Sequence, residues 1–304
     1  MVDIQLFQKT MKQFYLAEII TKDKLVHQGM FYTPPRPGKK AILWVHGLSG
    51  KFYGDLTMME QFADTCEKHG WGFASFNNRG HDLLSSSHKI DPDSPSGYTR
   101  VYGGAGYEKF EECVYDIHAG VDFLVSQGFR QVFLMGHSTG AIKVGYCEAT
   151  KPHPNVAGII LAGGLSDRLG PDVDYVMLSK QVQQMEDMVD DGKGDQLIEG
   201  LSFFPMTPKR FISLNKKGSH EEVFDYGEEN PKMKMLARIT KPLFIIVSEN
   251  DEYLDRPAGD VTRVFDEHAK SKHYKSMIFP GADHGFTGKE RAFVDAVSDW
   301  IGKI

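Results

Sequence analysis

The sequence predicts an α/β protein: a mostly parallel sheet covered by helices on both faces, opened by an antiparallel hairpin and interrupted once by a helical insertion. Three observations carry this prediction. Short runs rich in Ile, Val, Leu and Phe alternate with stretches whose apolar residues recur at helical spacing. Two strand-like segments at the start are separated by only a short turn. Between residues 166 and 238 the alternation stops and turn signals multiply.

Taken in order, "FYLAEIITKD" and "KLVHQGMFYTP" form the opening hairpin. The strand "AILWV", Ala41 to Val45, precedes "LTMMEQFADTCEKHG", where Leu56, Met59, Phe62, Ala63 and Cys66 mark a helix. "GFASF" is the next strand. A long helix from Tyr107 to Gln127 follows, with Phe110, Cys113, Val114, Ile117, Val121 and Leu124 on one face. "QVFLM", "VAGIILA", "PLFIIVS" and "KSMIF" complete the buried strands, and a closing helix spans Glu290 to Ile301.

The interruption has no strong strand, several short helical patterns, and turns such as "DDGKGD", "FFPMTPKR" and "NKKGSH". It also holds Met177, Met185, Met188, Met206, Met233 and Met235, six of the 13 methionines. We expect residues 166–238 to be a helical cap over the carboxyl edge of the sheet. Residues 1–165 and 239–304 then form the core.

A net charge of -6 and the lack of a basic stripe argue against nucleic acid as a partner. Cys66, Cys113 and Cys147 are odd in number and widely spaced, so neither a disulfide framework nor a zinc pattern is legible. "MVDIQLFQKTMKQFYLAEII" has no leader-like apolar core, and no stretch approaches the ~20 apolar residues of a membrane span. A cytoplasmic location is the default expectation.

Chemistry points to "VFLMGHSTGAIKVGY", Val132 to Tyr146. An apolar strand turns there into a helical pattern with Ser138 at the corner, Gly136 two residues before it and Gly140 two after. Such a corner needs small neighbours so that backbones can pass, and holds its central residue in a strained conformation. The hydroxyl then projects above the sheet at a helix N-terminus, where amides favour developing negative charge. "GHSTG" fits G-x-S-x-G in the strand–turn–helix context that gives the pattern its meaning.

A serine nucleophile needs a base at the same sheet edge, so histidines that follow strands are preferred. His284, in "FPGADHGF", follows the run ending at Phe279, whereas His273 precedes that run. The base needs an acid to fix its tautomer. "PLFIIVSENDEYLD" ends in a carboxylate-rich loop in which Asp251 is best placed, with Asp255 and Glu249 in reserve and the unused carboxylates read as solvated. The oxyanion hole falls to the backbone amides of Thr139 and of Leu48, in "HGLSGK", while His46 is expected to be structural.

The order Ser138, Asp251, His284, with "HGLSG" upstream and "FNNRGHDLLS" after the next strand, resembles the α/β-hydrolase superfamily across nearly the whole chain. The resemblance implies a Ser-His-Asp mechanism, an oxyanion hole at Leu48 and Thr139, and a lid over the pocket. "HGLSG" departs from the HGGG-type loop of some lipases and esterases. "FNNRGHD", "GHSTGAIKV" and "SENDEYL" are also similar to a hydrolase group that includes fungal siderophore esterases.

The expected activity is hydrolysis of a small-molecule carboxylic ester or lactone through an acyl-enzyme. It requires no metal and no organic cofactor. Phe203, Phe204, Met177 and Met206 are candidates to line an apolar substrate pocket. The same residues suit a thioesterase, amidase, C–C hydrolase or acyltransferase, a siderophore esterase included, and a non-catalytic ligand receptor is a further alternative. Monomer and homodimer both stay open. Three weaker signals are set aside: "YGGAGYE" as a mobile loop near the site's mouth, "SLNK" as a chance S-x-x-K, and "MEDMVDDGKGD" as a solvated helix end.

Overall fold

The computed structural model describes residues 12–304; the start of the stretch considered for a leader, up to residue 11, lies outside them. Its centre is a ten-stranded sheet. The opening hairpin pairs β1 (Tyr15–Ile20) with β2 (Leu25–Tyr32) in antiparallel register, Tyr15 opposite Phe31 and Ile20 opposite Val26. Six strands then run parallel: β3 (Lys40–Val45), β4 (Gly72–Phe76), β7 (Gln131–His137), β8 (Val156–Ala162), β9 (Leu243–Ser248) and β10 (Tyr274–Phe279). Across the sheet they lie in the order β10-β9-β8-β7-β3-β4, and β2 closes onto β4 antiparallel.

The inner strands are buried on both faces, as continuous apolar runs require. One face packs against α2 (Cys113–Ser126), α3 (Thr139–Thr150) and α6 (Ala258–His268) through Val114, Ile117, Val144 and Phe265. The other meets α1 (Leu56–His69) and α7 (Glu290–Lys303) through Met59, Phe62, Phe293 and Trp300. Asp55 starts α1 by accepting from Met58 N at 2.8 Å, and Gly70, at φ 71°, ends it in the left-handed conformation that glycine tolerates best.

Two strands were not legible. β5 (Ser85–Ile90) and β6 (Tyr98–Gly103) form a hairpin from Ser85 opposite Gly103 to Ile90 opposite Tyr98, and β5 pairs with the start of β2 at Leu25 and Val26. "SSSHKI" and "YTRVYG" are polar and largely exposed, so backbone pairing rather than apolar patterning defines them.

The long helix also starts later than predicted. A 3-10 turn at Phe110–Glu112 leads into α2, because residues 104–107 are held in a packed turn. Gly104 N donates to Arg79 O, Ala105 N to Asp82 O and Gly106 N to Leu83 O, each at 2.9 Å. "YGGAGYE" is therefore a bonded turn against the segment between β8 and β9 and not a free loop: Thr207 N donates to Gly106 O, and Ala105 and Glu108 are buried.

Between β8 and β9 lie two α-helices, α4 (Tyr175–Asp190) and α5 (Pro208–Asn215), capped by Asp174 and Thr207. They share a small apolar cluster of their own, Val182, Met185, Phe204, Met206, Phe211 and Leu214, against Ala105 and the half-buried Leu48. "SLNK" runs from the end of α5 into Lys216. Ser213 Oγ donates to Glu221 and Lys216 pairs with Glu186, so the two S-x-x-K side chains have separate partners.

Among the described residues, no helix is long and apolar enough to cross a membrane. Cys66, Cys113 and Cys147 are buried free thiols.

Candidate active site

The corner after β7 is as tight as its sequence demands. Ser138 has φ 57° and ψ -134°, a backbone conformation that non-glycine residues rarely adopt, and it caps the start of α3. A Cβ at Gly136 would lie 2.3 Å from Gly140 O, and one at Gly140 would lie 2.1 Å from Val45 O. Gly47 is needed in the same way, since its Cβ would lie 2.8 Å from Ser138 Cβ. Strand, elbow and the loop after β3 therefore interlock only because three positions lack side chains. Ser138 N donates to Ala162 O at 2.9 Å, tying the elbow to β8.

His284 and Asp251 meet at the same edge. His284 Nδ1 lies 2.7 Å from Asp251 Oδ2, and Asp251 Oδ1 accepts from Tyr253 N at 3.0 Å. The Asp251 carboxylate is sealed from solvent, whereas the imidazole is half-buried. Because an ionised Asp251 only accepts, His284 carries its proton on Nδ1 and leaves Nε2 as the basic nitrogen.

The neighbouring carboxylates, expected to be merely solvated, hold this loop in place. Glu252 Oε2 accepts from His284 N at 3.0 Å, and Glu249 Oε2 accepts from Gly281 N at 2.7 Å. Asp255 pairs with Arg256. His273 sits at the opposite edge, where its carbonyl accepts from Leu243 N at the start of β9.

Ser138 and His284 line one cavity of about 570 Å³, together with Leu48, Thr139, Phe204 and Met206. Among the described residues no hydrogen bond links Ser138 Oγ to His284. The Leu48 and Thr139 amides, proposed as oxyanion donors, have no backbone acceptor there.

His46 is structural. Its Nδ1–H donates to Gly47 O at 2.9 Å and its Nε2 accepts from Asn78 N at 3.1 Å, which fixes the tautomer. Burial pushes its pKa down to about 3, so the ring is neutral.

Of the candidate pocket residues, Phe204 and Met206 are buried in the wall, and Phe203 lines the cavity from a rim position while remaining 77% exposed. Met177 is not brought there. Capping by Asp174 places it in the outward first turn of α4, where it is 56% exposed.

Three residues at the site were missed. His137, which precedes Ser138, donates from Nε2 to His284 O at 2.8 Å and packs against Trp44. Burial, then the neighbouring His284, lowers its pKa to about 4. Its place inside "GHSTG" was the available signal. The Tyr253 and His284 rings meet in a T-shaped contact, centroids 4.8 Å apart. Asp167 lines the cavity and accepts from Thr139 Oγ1 at 3.0 Å on both carboxylate oxygens; nothing in the "GGLSDR" pattern signals this.

Beneath the site runs a buried charge network. Lys143, on α3, has its Nζ 2.6 Å from Glu108 Oε1 and donates to Asn78 Oδ1 at 3.2 Å. Arg210, on α5, reaches Glu108 at 3.2 Å and Glu221 at 2.5 and 3.1 Å. All four charged side chains are essentially sealed from solvent. Burial raises the Glu108 pKa, but Lys143 and Arg210 outweigh it and hold the carboxyl below its usual range. No group of three or more His, Cys, Asp or Glu side chains among the described residues is arranged to hold a metal ion.

Solved structures similar to this chain include esterases and another hydrolase. Est1E of Butyrivibrio proteoclasticus, solved with ferulic acid bound, superposes with a TM-score of 0.62 at 14% identity, over 94% of this chain and 98% of its own. A thermostable carboxyl esterase of Bacillus coagulans, in complex with glycerol, gives 0.62 at 15% identity over 97% and 99%. A 2,6-dihydroxy-pseudo-oxynicotine hydrolase gives 0.58 at 17% identity over 94% and 67%.

In sequence, the chain is 27% identical over 205 residues to a UPF0613 protein of Schizosaccharomyces pombe, a match covering 56% of this chain and 63% of that protein's length. Residues 96–302 match the model of the family described as "Protein of unknown function (DUF1749)". With its strand order and elbow serine, the chain is a member of that family and has the α/β-hydrolase fold.

Proposed function

We propose that the protein is a serine hydrolase of carboxylic esters, lactones included, acting through Ser138, His284 and Asp251. The observation that carries this reading is the shared cavity: a serine in an unfavourable elbow conformation and a histidine oriented by a sealed carboxylate both open onto it. Backbone strain kept at such a position fits a residue whose orientation matters for reaction.

In this mechanism Ser138 Oγ attacks the carbonyl carbon as His284 Nε2 takes its proton. The oxygen of the tetrahedral intermediate is received by the Leu48 and Thr139 amides. The C–O bond to the alcohol then breaks, and the leaving oxygen takes the proton back from His284. Water repeats the sequence on the acyl-enzyme, releasing the acid and restoring Ser138. Asp251 keeps the tautomer and stabilises the imidazolium. Hydrogen bonds of this kind tighten when substrate is engaged, so the open contact between Ser138 and His284 suits a resting site.

Residues 166–238 act as the cap in this reading, with Phe204 and Met206 forming an apolar wall and Phe203 the rim. The esterases among the structural neighbours agree with an ester substrate. The test uses purified protein with p-nitrophenyl butyrate and a fluorophosphonate probe. Ser138→Ala is expected to abolish both turnover and labelling while the fold, followed by circular dichroism, stays intact. Undiminished turnover by the variant would end the proposal.

A further inference from the structure

Three carboxylates and two cations meet where the segment between β8 and β9 rests on the core. Lys143 and Arg210 supply the cations, and Glu108 and Glu221 pair with them. Asp167 is the third carboxylate. Among the described residues it has no ion pair, and the Thr139 hydroxyl is its hydrogen-bond donor. Burial, then Glu221, raises its pKa to about 7, against the opposing pull of Arg210, the Thr139 hydroxyl and Lys143.

Unlike the paired groups, Asp167 faces the cavity, and its partner Thr139 directly follows Ser138. The other charged groups of the wall are already engaged. Lys51 pairs with Asp82 at 2.7 Å, and Asp55 caps α1 through Met58 N.

A carboxylate beside the amide that receives the oxyanion poses an electrostatic problem. Ionised and alone, it repels the charge that develops in the transition state. Protonated, it gives up the charge, and with it the strongest contact it could offer a ligand in the cavity it lines. A cation carried by the substrate resolves both. It completes the unpaired carboxylate with a charge-assisted hydrogen bond and offsets the negative charge near the oxyanion.

We propose that Asp167 is a specificity-determining residue that selects esters whose acyl part carries an ammonium group next to the scissile carbonyl. This rests on the serine-hydrolase reading and narrows its substrate class to α-amino acyl esters, ahead of their hydroxy or unsubstituted counterparts.

The test compares kcat/KM at pH 7 for three isosteres: leucine methyl ester, methyl 2-hydroxy-4-methylpentanoate and methyl 4-methylpentanoate. Wild-type protein is expected to favour the amino ester over the unsubstituted one by about tenfold or more, the effect of one charge-assisted hydrogen bond. In Asp167→Asn that ratio is expected to fall to about twofold or less; the readout is the ratio and not either absolute rate. Should the variant fail to fold, protection of wild-type Ser138 from a fluorophosphonate by isopentylamine, compared with isopentanol, tests the same point, and the amine is expected to protect at the lower concentration.

A wild-type ratio near one, a preference for the hydroxy ester, a ratio unchanged in Asp167→Asn, or equal protection by amine and alcohol overturns the proposal. If p-nitrophenyl butyrate is still hydrolysed through Ser138 in those cases, the hydrolase reading stands and only the specificity fails. If Ser138 neither turns over esters nor takes the probe, the hydrolase reading itself fails.

Discussion

His284 Nδ1 and Asp251 Oδ2 lie 2.7 Å apart, the carboxylate wholly enclosed and the ring keeping 14% of its side-chain surface. This asymmetry means that one partner orients while the other reaches the cavity. Asp251→Asn keeps the shape but removes the charge and the tautomer preference. Steady-state kinetics on p-nitrophenyl butyrate are expected to show kcat lower by ~10³–10⁴-fold with a much smaller change in KM. A loss below about tenfold would remove Asp251 from the proposed triad.

Gly140 tests the elbow's packing. Its added methyl would meet Val45 O at 2.1 Å and His46 O at 2.7 Å, both backbone atoms that cannot swing aside. Gly140→Ala is expected to lose about 1–3 kcal/mol or more in urea unfolding. Gly302, in α7 with open space where its Cβ would be, serves as the control. Gly302→Ala is expected to be neutral or slightly stabilising. Equal effects at the two sites would contradict this account of the corner.

Arg210 tests the buried network. Arg210→Met leaves Glu108 with Lys143 alone and Glu221 with only the Ser213 hydroxyl among the groups described for it. Removing one partner of a buried ion pair costs about 3–5 kcal/mol, and that loss is expected in chemical denaturation. Arg210→Met combined with Glu221→Gln is expected to lose less than the two single variants added together. Strict additivity would show that the contact between these side chains carries no coupling.

Acid should weaken the fold through His46 and His137. Burial holds their folded pKa values at about 3 and about 4, below the ~6.5 of an unfolded histidine. The unfolded chain therefore binds more protons between those limits. The contribution is fully present above pH ~6.5 and is lost as the pH falls toward the folded values, by about 1.4 kcal/mol per pH unit for each ring. Urea unfolding at pH 7.5, 6 and 5 is expected to show this decline, with a shallower slope in His137→Gln. An identical slope in that variant would mean that His137 is not held neutral.

Legibility in the sequence followed physical cause. β8 and β9 were visible because strands buried on both faces must be apolar throughout, as "VAGIILA" and "LFIIVS" are. β5 and β6 were not, because a solvent-facing hairpin places no such demand on its side chains. Ser138 was legible because the elbow imposes glycine on both sides. His284 and Asp251 were legible because only loops after strands reach that edge, and the structure brings the two together. Met177 misled because composition marks a residue as apolar without fixing its direction, and Asp174 capping turns it outward. Asp167 and the pairing of Lys143 and Arg210 with Glu108 gave no warning, since partners 35 and 102 positions from Glu108 leave no local pattern.

Arg210 lies on α5, between β8 and β9, while Glu108 and Lys143 lie before β8, so the two stretches of chain are matched in charge. A graft that moved the 166–238 segment onto a foreign scaffold lacking Glu108 would leave the Arg210 guanidinium with Glu221 as its remaining carboxylate. Phe203 lines the cavity, is 77% exposed and takes no part in that pairing, so efforts to widen the doorway for bulkier molecules should begin there.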